Sequence, residues 1–203
     1  MQLSQNILIL KLDEFIRKYY KNQLLKGLLY SLGLLVASFL FIVITEYFAE
    51  FGTTIRTFLF YTFVLLSSFV IGKYIIIPIL KLNKLGSIIS YDEAANIIGT
   101  HFKSINDKLL NTLQLQRNHG SILSTDLLEA SINQKMEELK PVPFTAAINL
   151  TENKQYLKYA LPPIVITLLM FVIKPSIIKD GTERMLFHQT YFEKQAPDRK
   201  SVV

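Results

Sequence analysis

The chain has 203 residues, half of them apolar and 19% charged, with a formal net charge of +6 and no cysteine. The absence of thiols excludes disulfide staples, thiolate chemistry and cysteine-based metal sites. Charge is nearly missing from residues 28–47, 57–80 and 159–173, a segregation that a bilayer imposes because a charge near its centre costs roughly 2.5–3.5 kcal/mol on insertion scales.

Residues 1–26 read as an amphipathic helix. Ile7, Leu8, Leu10, Phe15, Ile16 and Tyr19 supply apolar area, while Lys11, Asp13, Glu14, Arg17, Lys18 and Lys21 supply the polar side. The segment does not look like a signal peptide, since the apolar block starts late and no small-residue cleavage site follows. It reads instead as a helix on the inner membrane surface.

A transmembrane hairpin is expected over 27–80, with spans at about 27–48 and 57–80. About 20 apolar residues at ~1.5 Å each cover the ~30 Å hydrocarbon core, and no polar stripe marks the first block as a soluble helix. Glu46, Tyr47, Glu50, Gly52 and Arg56 mark the turn between the spans. Lys73 interrupts the second span. Its position past the middle, toward Lys81 and Lys84, suits a lysine that snorkels to the interface, and the alternative is an intramembrane charge used in coupling. Gly72 and Pro78 are compatible with a bend.

Five basic residues (Lys11, Arg17, Lys18, Lys21, Lys26) face two acidic ones in the N-terminal segment, whereas the first turn offers Arg56 against Glu46 and Glu50. The N-terminus is therefore expected in the cytoplasm, with residues 81–156 on the same side. That middle region reads as a cytoplasmic helical domain. Ser90-Tyr91-Asp92-Glu93 is a capping box opening a helix that buries Ala94, Ile97, Ile98 and Phe102 and ends near residues 99–102. Ser104 to Asp107 starts a second helix, with Ile105, Leu109, Leu110 and Leu113 on one face. A third covers residues 125–140, with Leu128, Ile132, Met136 and Leu139 at helical spacing until Pro141 stops it. Three such helices form a bundle that is marginal alone, so it is expected to pack on the membrane helices. A third transmembrane helix follows over 157–174, with Pro162 and Pro163 in its first turn, and residues 175–197 begin a periplasmic region.

No paired-carboxylate, phosphate-loop or nucleophile-elbow pattern is present. His101, His119 and His188 lack metal-ligand spacing. Asp92 and Glu93 are explained by capping, and the sequon Asn149-Leu150-Thr151 is irrelevant on the cytoplasmic side. Basic residues flank apolar blocks rather than forming a nucleic-acid motif. The expectation is a non-enzymatic chain without catalytic, cofactor-binding or metal-binding residues, whose partners are the lipid bilayer and envelope proteins. Neither nucleic acid nor a small-molecule substrate is expected.

Three stretches carry a family resemblance: residues 12–24 (LDEFIRKYYKNQL), residues 107–115 (DKLLNTLQL) and residues 191–197 (YFEKQAP). Together they resemble the N-terminal membrane region of a family of large, uncharacterised envelope proteins of Bacteroidetes. The resemblance implies a chain that continues into a long periplasmic part, and it carries no catalytic residues. It fails at residues 198–203, Asp198-Arg199-Lys200-Ser201-Val202-Val203. Those six residues are what the sequencing adapter GATCGGAAGAGCGTCGTG encodes, and its next codon is a stop. The sextet therefore reads as a non-native tail on a truncated fragment. The fold class expected is an all-α membrane protein with about three transmembrane helices and a small cytoplasmic bundle between the second and third. Its expected role is an inner-membrane anchor and adaptor. The alternative is a signalling or transport component whose helical domain is coupled to the spans.

Overall fold

The computed structural model describes residues 2–117 and 134–192, and among them every regular element is helical. The order is α1 (Gln2–Ala49), α2 (Thr53–Ile71), a π-helical turn (Gly72–Ile76), α3 (Ile77–Leu82), α4 (Tyr91–His101) and α5 (Asn106–Arg117). Then come α6, described over residues 134–139, α7 (Leu157–Ile173) and α8 (Pro175–Leu186). The chain divides into two compact units, Met1–Leu25 with Ile77–Asn153, and Lys26–Ile76 with Lys154–Val203.

The first unit is organised by one stripe of α1. Leu8, Leu12, Phe15, Ile16 and Tyr20 recur at helical spacing and are all buried. They share a core with Ala94, Ala95 and Ile98 of α4, Ile105 beside α5, Leu109 and Leu113 of α5, Met136 and Leu139 of α6, and Phe144 and Ile148. This differs from the membrane-surface helix that the sequence suggests. Three short helices bury too little apolar area to close a core, and the amphipathic start of α1 supplies the missing face. Leu10, off this stripe, is left 59% exposed.

Local signals set the helix ends. Ser90 Oγ accepts from the Glu93 N–H at 3.1 Å, and Glu93 Oε2 accepts from the Ser90 N–H at 2.8 Å. The capping box is thus present at the start of α4, which ends at His101 as expected. Of the third helix expected over 125–140, residues 134–139 are helical and Lys140 is in a turn, while residues 125–133, with Leu128 and Ile132, lie outside the described residues, as does His119. Polar contacts tie α1 to the connecting segments. Asp13 accepts from Lys84 Nζ at 2.8 Å and from the Tyr91 hydroxyl at 3.2 Å, and the Tyr20 hydroxyl accepts from the Ile89 N–H at 2.9 Å.

Three helical runs are long and apolar enough to cross a membrane: Ile7–Ala49, Thr53–Leu82 and Phe144–Ile173, whose most apolar 18-residue windows have mean hydropathies of 2.4, 2.2 and 1.8. Only 11% of the most apolar window is buried in each of the last two. Phe58, Leu65 and Val172 are exposed by 71%, 71% and 80%. Large contiguous apolar faces of this kind need a non-aqueous covering.

Within the second unit two glycines of α1 let neighbouring backbone approach. A Cβ at Gly27 would collide with the Tyr74 carbonyl oxygen, and one at Gly33 would stand 2.6 Å from that of Tyr159. Both oxygens lie four residues before a proline, Pro78 or Pro163, which has no N–H to offer them. Pro162 and Pro163 themselves are not in the first turn of α7, as the sequence suggests. The helix begins at Leu157, so both fall in its second turn and deprive the Lys158 and Tyr159 carbonyls of helical partners.

Candidate functional site: a buried ion-pair cluster beside the α1–α2 turn

Helix α1 ends at Ala49 and α2 begins at Thr53, earlier than the sequence-expected start of the second span at residue 57. Arg56 therefore belongs to the first turn of α2 instead of the connecting loop. It can afford that place because its charge is fully engaged. Arg56 Nε donates to Glu46 Oε1 at 2.8 Å, with side chains only 4% and 1% exposed. Its Nη1 donates to the Thr190 carbonyl at 3.0 Å, and its Nη2 donates to the Phe51 carbonyl at 2.8 Å. The planar fork of arginine makes three divergent bonds possible where a lysine ammonium could not follow the same geometry.

Around this pair the residues after α7 build a cap. Arg184 of α8 reaches Glu50 Oε1 at 3.4 Å. The Arg56 and Arg184 guanidinium carbons lie 5.0 and 5.9 Å from the centre of the Phe192 ring, within cation–π range. The His188 ring stacks on Phe60 at 4.4 Å, and its Nδ1 is 3.1 Å from Thr57 Oγ1. Gly181 of α8 faces Val43 of α1 so closely that a Cβ would sit 2.8 Å from the Val43 carbonyl oxygen. Glu50, just past the end of α1, has φ of +44°, a left-handed position that glycine usually takes at a helix C-terminus. Glu46 Oε2 is buried without a hydrogen-bond partner among the described residues.

Two acidic and two basic side chains thus interlock the α1–α2 turn, α8 and residues 187–192. The arrangement supplies rigid electrostatic closure. Within it a hydroxyl stands beside an imidazole, Thr57 Oγ1 against His188 Nδ1 at 3.1 Å. His188 joins the cluster through stacking and Thr57, whereas the His101 ring lies edge-on to Phe102 at 4.7 Å. Among the described residues no group of three or more metal-ligating side chains comes together. In the sequence alone Arg56 and Glu46 read as turn markers. The signal available was a pair of opposite charges ten residues apart on either side of a short turn joining two apolar helices.

The other sequence-marked positions fall elsewhere. Lys73 lies in the π-helical turn, exposed, with its ammonium 5.7 and 5.6 Å from the Phe69 and Tyr74 ring centres. Asn149 Oδ1 accepts from the Thr151 N–H at 3.0 Å and closes a local turn. In the first unit a cleft of about 290 Å³ lies between Lys11 and Glu14 of α1 and residues 141–145. Its cation is already committed, because Lys11 Nζ donates to the Lys140 carbonyl and, at 3.2 Å, to that of Val142. These carbonyls follow the end of α6, where a cation is favoured. No family model, curated protein or solved structure matches the chain.

Proposed function

We propose that the chain is a non-enzymatic anchor and adaptor of the bacterial inner membrane, the N-terminal membrane region of an envelope protein of the Bacteroidetes type that its sequence resembles. In this reading it crosses the bilayer three times with its N-terminus in the cytoplasm. It tethers a periplasmic region and offers its helical unit as a cytoplasmic interaction surface. The observation that carries the proposal is the set of three long apolar helical runs whose large side chains point outward, as lipid contact requires. Orientation is supported by Lys11, Arg17, Lys18, Lys21 and Lys26, which precede the first apolar block in the sequence, whereas Arg56 and Arg184 are paired with carboxylates.

Reporter fusions test the reading. Alkaline phosphatase should be active when inserted at residue 51 and inactive at residue 103, with the converse for a cytoplasmic reporter. A purified chain that is monodisperse without detergent would overturn the proposal. So would external protease trimming residues 90–140 in spheroplasts with intact inner membranes.

A second reading, a signalling or transport component, draws on one observation. Lys73 occupies the π-helical turn, and such turns occur disproportionately at functional sites. Lys73→Leu separates the two. A tether keeps its function, whereas a charge-coupled device loses it while still inserting.

A further inference from the structure

At the end of the second unit away from the ion-pair cluster, Tyr30 of α1 stands among three other tyrosines. Its ring centre lies 6.3 Å from Tyr74, 5.0 Å from Tyr156 and 5.6 Å from Tyr159. Each of those outer rings carries a lysine ammonium. Lys73 is 5.6 Å from the Tyr74 centre, Lys26 is 5.6 Å from that of Tyr156, and Lys158 is 5.1 Å from that of Tyr159. The platform is open, since Tyr30 and Tyr159 are 39% and 50% exposed and both Lys73 and Lys158 are exposed.

None of the three lysines has an ion pair or a hydrogen bond to a described residue. Glu152, the acidic side chain nearest in sequence to Lys158, is exposed and pairs with none of them. Three positive charges are therefore gathered from three helical segments with no carboxylate among the described residues paired to them. The contrast with the other end is plain, because there every arginine of the cluster meets a carboxylate.

From this juxtaposition we infer that the Tyr30 platform with Lys26, Lys73 and Lys158 is a binding site for the headgroup of an anionic phospholipid. The inference rests on the membrane reading above and deepens it by naming a lipid class. Tyrosine is favoured at headgroup depth, where its ring meets chains and its hydroxyl meets water. Basic pockets between membrane helices recognise anionic headgroups, with each lysine contributing about fivefold in affinity near such a surface. The rings hold the ammonium groups apart by cation–π contact without neutralising them, so the charge stays available to a phosphodiester. A zwitterionic headgroup cancels the attraction with its own choline or ethanolamine cation.

The test uses the full chain in detergent micelles, titrated with phosphatidylglycerol or phosphatidylcholine and read by native mass spectrometry. One phosphatidylglycerol should be retained on the order of a hundredfold more tightly than phosphatidylcholine. The triple variant Lys26→Gln, Lys73→Gln, Lys158→Gln should lose that preference. A control with equal charge loss at exposed sites, Lys21→Gln, Lys103→Gln, Lys179→Gln, should keep it. Equal retention of both lipids by the wild-type chain overturns the site whether or not the variants fold. So does an equal loss of preference in the control, which would make the attraction one of net charge alone. Failure of the membrane reading looks different, because the wild-type chain would then need no detergent at all.

Discussion

Arg56→Leu should be among the most damaging single substitutions in the second unit. The change strips Glu46 Oε1 of its donor at 2.8 Å and leaves Oε2 as unpartnered as before, so a carboxylate that is 1% exposed loses its only counter-charge in the cluster at bonding distance. Breaking one side of a buried pair costs roughly 3–5 kcal/mol, most of it from the stranded charge. The carbonyls of Phe51 and Thr190 also lose donors, but hydrogen bonds between membrane helices average only about 0.6 kcal/mol. The charge effect therefore dominates. Glu46→Leu should cost less, because Arg56 keeps two carbonyl partners and the Phe192 face. The double variant removes both charges and should be less damaged than the sum of the singles by about 2–3 kcal/mol. Unfolding of all four proteins in mixed micelles with increasing sodium dodecyl sulfate gives the cycle directly. Additive losses within ~0.5 kcal/mol would refute the claim that burial makes this pair interdependent.

Other substitutions probe other links of the same argument. Gly33→Ala drives a Cβ to within 2.6 Å of a backbone oxygen and 3.1 Å of the Ala160 Cα. Neither can rotate away, so the same unfolding titration should show a loss of about 1–3 kcal/mol, while Gly72→Ala, with nothing within 4 Å, should show none. Ser90→Ala removes the capping oxygen of α4 and should cost about 1 kcal/mol, seen as faster amide exchange at Glu93. Burial, followed by the Asp13 carboxylate, raises the Tyr91 phenol above its usual 10.0. A raised folded value means that this contribution is complete below pH ~10 and fades as pH climbs through the folded value. Tyr91→Phe should therefore lose less stability between pH ~9 and ~11 than the wild-type chain does, measured by unfolding at each pH.

What the sequence made legible follows the range of the forces involved. The three apolar runs were readable because lipid imposes length and composition on each segment separately. The α4 capping box was readable because its partners are three residues apart. The role of Arg56 was not, since one of its acceptors, the Thr190 carbonyl, lies 134 positions away and no local pattern announces it. The start of α1 was half legible. Its amphipathic stripe is plain in the letters, yet whether lipid or protein covers that stripe depends on how much core α4, α5 and α6 can close without it. The non-native tail expected over 198–203 lies outside the described residues.

The prolines and glycines of the apolar helices acquire a shared explanation only in three dimensions. A proline inside a helix leaves the carbonyl four residues earlier without its N–H, and in hydrocarbon no water is at hand to replace it. Pro78 does this to Tyr74 and Pro163 does it to Tyr159. Both oxygens come up against α1 at a glycine, Gly27 and Gly33 respectively. There a hydrogen stands where a Cβ would collide with the oxygen, the placement of a Cα–H···O contact worth about 0.5–1 kcal/mol. Gly27, Tyr30 and Gly33 follow one another at intervals of three on α1, so Tyr30 lies about 60° around the helix from each glycine and the two glycines, about 120° apart, meet two different neighbouring segments. The same short stretch that accepts two displaced carbonyls also seats the central ring of the tyrosine platform. Moving any of the three along the helix by one residue would turn it about 100° away. The spacing, more than the identity of each residue alone, is what ties the second and third apolar runs to the first.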